Sequence, residues 1–145
     1  MTTTIEPFIT NEKDAPGVHL DGNITFQSGE KIEHSYVFGR IEDKKLKRST
    51  KDCYAIGIIT DCGCENDPLN VQIFGANSGT MKVRVSQSVS MGDLIASDDN
   101  GFACVVTNQV SDSTVILGLA LGEASPGELV EFTPYTVLRK SSLNI

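Results

Sequence analysis

The chain has 145 residues, 39% hydrophobic and 21% charged, which suits one globular domain with a continuous core and leaves too little for two independent ones. It has no Trp, only 6% aromatic residues and 13 glycines, a balance that favours many tight turns over long helices. The formal net charge is -7, and residues 1 to 51 hold eight basic against eight acidic side chains, so the excess lies in residues 52 to 145 and makes most of the surface a poor match for nucleic acid.

The first segment, "MTTTIEPFITNEKDAPG" (1 to 17), carries three isolated large apolar residues, Ile5, Phe8 and Ile9, among polar ones. Pro7 and Pro16 hold it extended and deny it a helix. It reads as an N-terminal arm in which Pro7, Phe8 and Ile9 are the candidate partner-binding residues; an N-terminal strand tied into the protein's own sheet is the alternative. The segment lacks the basic start and apolar centre of a secretory signal, and no run approaches a bilayer span, so a cytosol-like setting and no membrane are expected.

Beyond the arm, apolar residues recur at helical spacing over no window of about 11 residues. Short alternating or apolar runs follow one another instead: 17 to 26, 32 to 41, 54 to 60, 69 to 75, 81 to 86, 93 to 97, 102 to 107, 114 to 122 and 128 to 138. Between them stand "LDGN", "QSGE", "ENDP", "NSGT", "DDNG" and "SPGE", rich in turn-forming Gly, Pro, Asn and Asp. The fold expected is all-β: an antiparallel sandwich or small barrel of about nine short strands. Its domain organisation is an arm over 1 to 17, one β domain over 18 to 138 and a tail over 139 to 145. The basic run "DKKLKRSTKD" (43 to 52) is best read as a solvated hairpin whose lysines discourage edge-to-edge pairing.

Within "SVSMGDLIASDDNGFACVV" (88 to 106), Gly92 supplies a positive φ ahead of Leu94 and Ile95. Asn100-Gly101 then closes a hairpin, on the expectation that both residues are left-handed. "YAIGIITD" followed by "LNVQIF" is echoed by "TVILGLALG" followed by "ELVEF", with Ile56-Gly57-Ile58 matching Leu117-Gly118-Leu119. Gly inside a strand costs stability unless a close approach demands it. The echo therefore suggests an internal pseudo-repeat whose halves pack face to face.

Little in the chain points to chemistry. The two histidines, His19 and His34, have no partnered nucleophile, and His34 sits at an alternating position of a strand. Neither a nucleophile elbow nor a phosphate-cradling loop is present. Cys53, Cys62, Cys64 and Cys104 include one C-x-C and no pair at the spacing of a structural zinc site, so they read as reduced structural thiols, Cys53 and Cys104 on strands. Asp98-Asp99 and Glu42-Asp43 lack the spaced oxygen donors of a cation loop and read as turn residues. No catalytic residue, metal site or cofactor is expected, and a structural or binding role gains weight.

"SYVFGRIEDKKLKRSTKDCYAIGIITD" and the run "MKVRVSQSVSMGDLIASDDNGFACVV…VILGLALGEASPGELVEF" resemble virion modules of tailed bacteriophages, over roughly residues 35 to 133. Such modules occur in capsid cement or decoration proteins and in tail appendages, some of which cleave themselves. No cleavage dyad maps onto this chain, so proteolysis is not carried over. The resemblance implies a non-enzymatic cement or decoration protein at the capsid surface of a virion assembled in the host cytoplasm. Its implied partners are neighbouring major capsid subunits and the chain itself as a homo-oligomer, with no nucleic acid. A tail fibre or appendage module that binds a receptor or carbohydrate is the alternative, weakened by the absence of Trp.

Overall fold

A computed structural model describes residues 22–75 and 79–140, the side chains of 136–139 excepted. The described residues form ten strands and no α-helix: β1 (Asn23–Gln27), β2 (Val37–Glu42), β3 (Lys45–Arg48), β4 (Gly57–Ile59), β5 (Pro68–Ile73), β6 (Met81–Arg84), β7 (Leu94–Ser97), β8 (Ala103–Val105), β9 (Val115–Ala120) and β10 (Leu129–Arg139). They make two five-stranded antiparallel sheets, ordered β1-β5-β4-β2-β3 and β6-β10-β9-β7-β8. The all-β architecture of short strands read from the sequence is the one found. The strand beyond the nine expected is β3, within the lysine-rich hairpin, and it lies at a sheet edge where Lys45, Lys47 and Arg48 flank buried Leu46.

Adding five to each strand number of the first sheet reproduces the second. The correspondence reaches individual residues. Gln27 faces Pro68 and Ile24 faces Val71 in one half, as Arg84 faces Leu129 and Met81 faces Phe132 in the other. Isolated bridges recur too: Ser28 with Leu46 and Ile32 with Gly63, then Val85 with Ala103 and Val89 with Ala124. In the turn before β5, Asp67 accepts the Cys64 N–H at 2.8 Å; before β10, Glu128 accepts the Ser125 N–H at 2.8 Å. Asn66 and Gly127, one residue earlier in each turn, both have positive φ. The echo in the sequence is thus one part of a repeat covering all five strands of each half.

Gly57 and Gly118 occupy matching places in the repeat, and each permits a close approach of strands. A Cβ on Gly57 would lie 2.0 Å from the Gln72 carbonyl oxygen, and one on Gly118 would lie 2.6 Å from both a Phe132 ring carbon and the Thr133 carbonyl oxygen. Elsewhere the turn chemistry departs from expectation. Gly92 and Gly101 have the positive φ expected, but Asn100 does not. The Asp98 carboxylate accepts the N–H groups of Asn100 and Phe102 at 2.8 and 2.9 Å, and Gly101 N–H bonds to the Asp98 carbonyl. This is a three-residue loop with a left-handed Gly; the tight two-residue turn occurs instead at Asp43-Lys44, both of positive φ.

The halves pack face to face, with non-equivalent faces. In β2 and β4, Val37 and Ile59 point into the core of their own half with Ile32, Leu46, Leu69 and Val71. Their neighbours Phe38 and Ile58 point the other way and join Val83, Ile95, Leu117, Val130 and Phe132 of the second half. Alternation therefore puts apolar residues on both faces of the first sheet, as burial on both sides requires. The other face of the second sheet carries Ala96 and Ile116, packed with Val106 and, in part, Leu94 and Tyr135. The loop over 106–113 is tied down there by Lys140, whose buried amine donates to the carbonyls of Asn108 (3.2 Å) and Val110 (2.7 Å).

Candidate interaction surface

The residues singled out for chemistry are dispersed by the fold. His34 stacks edge-on against Phe102, ring centroids 5.3 Å apart, a packing contact between the halves. All four cysteines are free. Cys104 lies on β8 as expected, and burial, with the charges of Asp98 and Asp99, pushes its thiol up to about 11, far from a reactive thiolate. Cys53 lies in the turn after β3 and not on a strand, where it receives the Thr50 hydroxyl at 3.0 Å. Cys62 and Cys64 are exposed on either side of Gly63. Among the described residues no three His, Cys, Asp or Glu side chains come together as metal ligands. Asp98 serves its turn, and Glu42 pairs with Arg40 and Lys47. His19 and the arm residues Pro7, Phe8 and Ile9 lie outside the described residues.

The most developed arrangement of side chains is the junction between the halves. Arg84 N–H, on β6, donates to the Tyr36 carbonyl at 2.7 Å, and its guanidinium reaches the Ser35 carbonyl at 3.1 Å and the Gly127 carbonyl at 2.9 Å. Phe38 N–H donates to the Gly101 carbonyl at 2.8 Å. Phe38, Phe74 and Phe132 meet edge to face, with centroids 5.7 to 6.3 Å apart, a geometry aromatic quadrupoles favour. Tyr36 takes a left-handed φ of 61°, at the place where the second half has Gly92. A cleft of about 600 Å³ opens beside the junction, lined by Tyr54, Ile56, Phe74, Ile116, Pro134 and Tyr135 among others.

Sequence reasoning did not find this junction. The signal available was the pair Val37-Phe38 and the run Gly57-Ile58-Ile59, apolar at consecutive positions and so buried on both faces. The part played by Arg84 has no sequence signature, since a guanidinium on backbone carbonyls depends on the approach of two distant turns.

No known family profile matches the sequence, and no curated protein matches it. Among solved structures, the chain is similar to the N base of the head fiber gp8.5 in bacteriophage phi29, with a TM-score of 0.62 and 16% identity, over 80% of this chain and 96% of that one. The two share a fold.

Proposed function

We propose that this chain is a non-enzymatic structural protein of a bacteriophage virion, attached at the capsid surface. The observation that carries the reading is the shared fold with the base of a phage head fiber, over nearly the whole of that base. The molecule suits such a role: its two sheets share a core, and Cys104, His34, Asp67, Asp98 and Glu128 serve packing and turns. In this reading it is a cement or decoration protein that clamps neighbouring major capsid subunits, gaining affinity by touching more than one at once.

The arm over 1 to 17 supplies the reach. Phe8 and Ile9 anchor it in a groove of a neighbouring subunit, where burial at about 25 cal/mol per Å² offsets the ordering entropy that so apolar-poor a segment cannot offset alone. Co-sedimentation with assembled shells and with unassembled capsid protein tests the clamp, and equal binding to both would sink it. Deleting residues 1 to 9 is expected to weaken attachment to shells while leaving the melting temperature nearly unchanged. Undiminished attachment of the truncated protein removes the arm from the account.

The cleft lined by Tyr54, Phe74 and Tyr135 is what favours the second reading, an appendage module that binds a receptor or carbohydrate, because aromatic rings can stack on sugar faces. Binding to a glycan array, lost on Tyr54→Ala, would favour it over the clamp.

A further inference from the structure

The junction between the halves is one-sided. In a two-fold arrangement every contact has a mirror, so the bond from Arg84 N–H to the Tyr36 carbonyl would be matched by one from Gln27 N–H to the Gly92 carbonyl. Within the chain no such bond is made among the described residues. Gln27 N–H is nonetheless aimed outward. Ser28 N–H bonds to the Asp67 carbonyl, in the turn just before β5, so Gln27, its neighbour, which faces Pro68, directs its own N–H away from β5, and β1 ends the strand order of its sheet. The Gln27 side chain already copies Arg84: its amide donates to the Asn66 carbonyl at 3.5 Å, as the Arg84 guanidinium donates to the Gly127 carbonyl.

Burial tells the same story on both sides of the missing contact. Phe38 and Ile58, which the first half inserts into the second, are 0% exposed, while their counterparts Leu94 and Leu119 remain half-buried. Met81 and Val83, which receive them, are 4% and 0% exposed, while their counterparts Ile24 and Phe26 are again half-buried. Ser35, which accepts the Arg84 guanidinium, corresponds to Met91, 70% exposed. Each half thus presents, at opposite ends of the stack, the surface that its counterpart has covered.

From this we propose that a second copy of the chain docks the β1 edge of its first sheet, with Ile24, Phe26 and Gln27, on the Met91, Gly92, Leu94 and Leu119 surface of the first copy's second sheet. The contact repeats the internal junction, with Gln27 N–H donating to the Gly92 carbonyl across the interface. It is heterologous, so it closes into a ring if the rotation per copy permits and otherwise runs on as a filament. Self-association of this kind does not depend on attachment to a shell, which co-sedimentation reads separately.

The test is the mass of the full chain in solution by light scattering, for the natural sequence, for Gln27→Pro and for Met91→Glu with Leu94→Lys. Pro at an outward-facing edge position removes the donor without disturbing pairing to β5. The expected result is a discrete oligomer or a filament for the natural chain and a folded monomer, by circular dichroism, for each variant. A natural chain that is monomeric at every concentration overturns the proposal, as does an oligomer whose mass neither variant changes. Amide exchange needs no variant: Gln27 N–H is expected to exchange faster on dilution, and exchange independent of concentration also overturns it.

Discussion

Cys104 illustrates how a reactive residue type is made inert by its place in the fold. It stands on β8, its thiol directed at the Ala96 carbonyl at 3.5 Å, and burial followed by the nearby charges of Asp98 and Asp99 raises its ionisation from 9.0 to about 11. A thiol whose folded value exceeds its unfolded value contributes stability that is complete below pH 9 and is lost as the pH rises towards about 11. Other groups titrate in that range, so the measurement is a difference: urea midpoints of the natural chain and of Cys104→Val between pH 8 and about 11. The natural chain is expected to lose more stability over that window, and parallel curves would contradict the assignment. Cys62 and Cys64, exposed on their turn, are expected to alkylate first at pH 8.

At the scale of elements, the edge strand β3 is pinned by Glu30, which accepts the Arg48 backbone N–H at 2.7 Å and pairs with its guanidinium at 3.2 Å. Burial tends to raise the Glu30 carboxyl, but the hydrogen bonds and charge of Arg48 outweigh it and hold the group below its ordinary value. Its contribution is therefore present above the usual carboxylate range and lost as the pH falls through the lowered value. The sheet-to-sheet contact is the larger matter. Phe38→Ala removes a fully buried ring from the aromatic trio and is expected to cost about 3–5 kcal/mol. Leu94→Ala, at the matching but half-buried place, is expected to cost about 1 kcal/mol in the dilute protein. Equal losses in urea unfolding would mean that the two positions are not the covered and uncovered versions of one site.

These elements also mark where the sequence was readable. Nine strands follow from alternation and turn residues, because period-two burial is a local property. β3 lay within the run read as a solvated hairpin but was not counted among the strands, since one buried residue, Leu46, among Lys45, Lys47 and Arg48 leaves no apolar alternation to read. The repeat was legible only over β4–β5 and β9–β10, where Gly57 and Gly118 each allow a close approach of strands. Elsewhere it is kept by backbone geometry and not by residue type. Tyr36 stands for Gly92 and Asn66 for Gly127, each pair taking one left-handed conformation with different side chains, while Asp67 and Glu128 accept the matching N–H with carboxylates on stems of different length. The junction was illegible for the same reason, since its bonds join the Tyr36 carbonyl to Arg84 and the Gly101 carbonyl to Phe38, groups every residue possesses.

The whole molecule is expected to unfold as one cooperative body because neither half has a core made from its own residues alone. Each half supplies five short strands, below the size at which a chain buries enough surface to stand alone with ease. The second core contains Phe38 and Ile58 from the first half, and the first receives Phe102 from the second. Melting one half therefore opens apolar surface in the other, and a single unfolding transition is expected. The decisive variant is Gly57→Ala, whose added methyl would meet the Gln72 carbonyl oxygen at 2.0 Å and force β4 and β5 apart, a loss of roughly 1–3 kcal/mol by overpacking. The lesion lies wholly in the first half. Labelling of Cys104, in the second, should nevertheless move to lower urea by the same amount as labelling of Cys53, in the first. If Cys53 becomes reactive early while Cys104 keeps its original midpoint, the halves unfold independently and the shared core does not couple them.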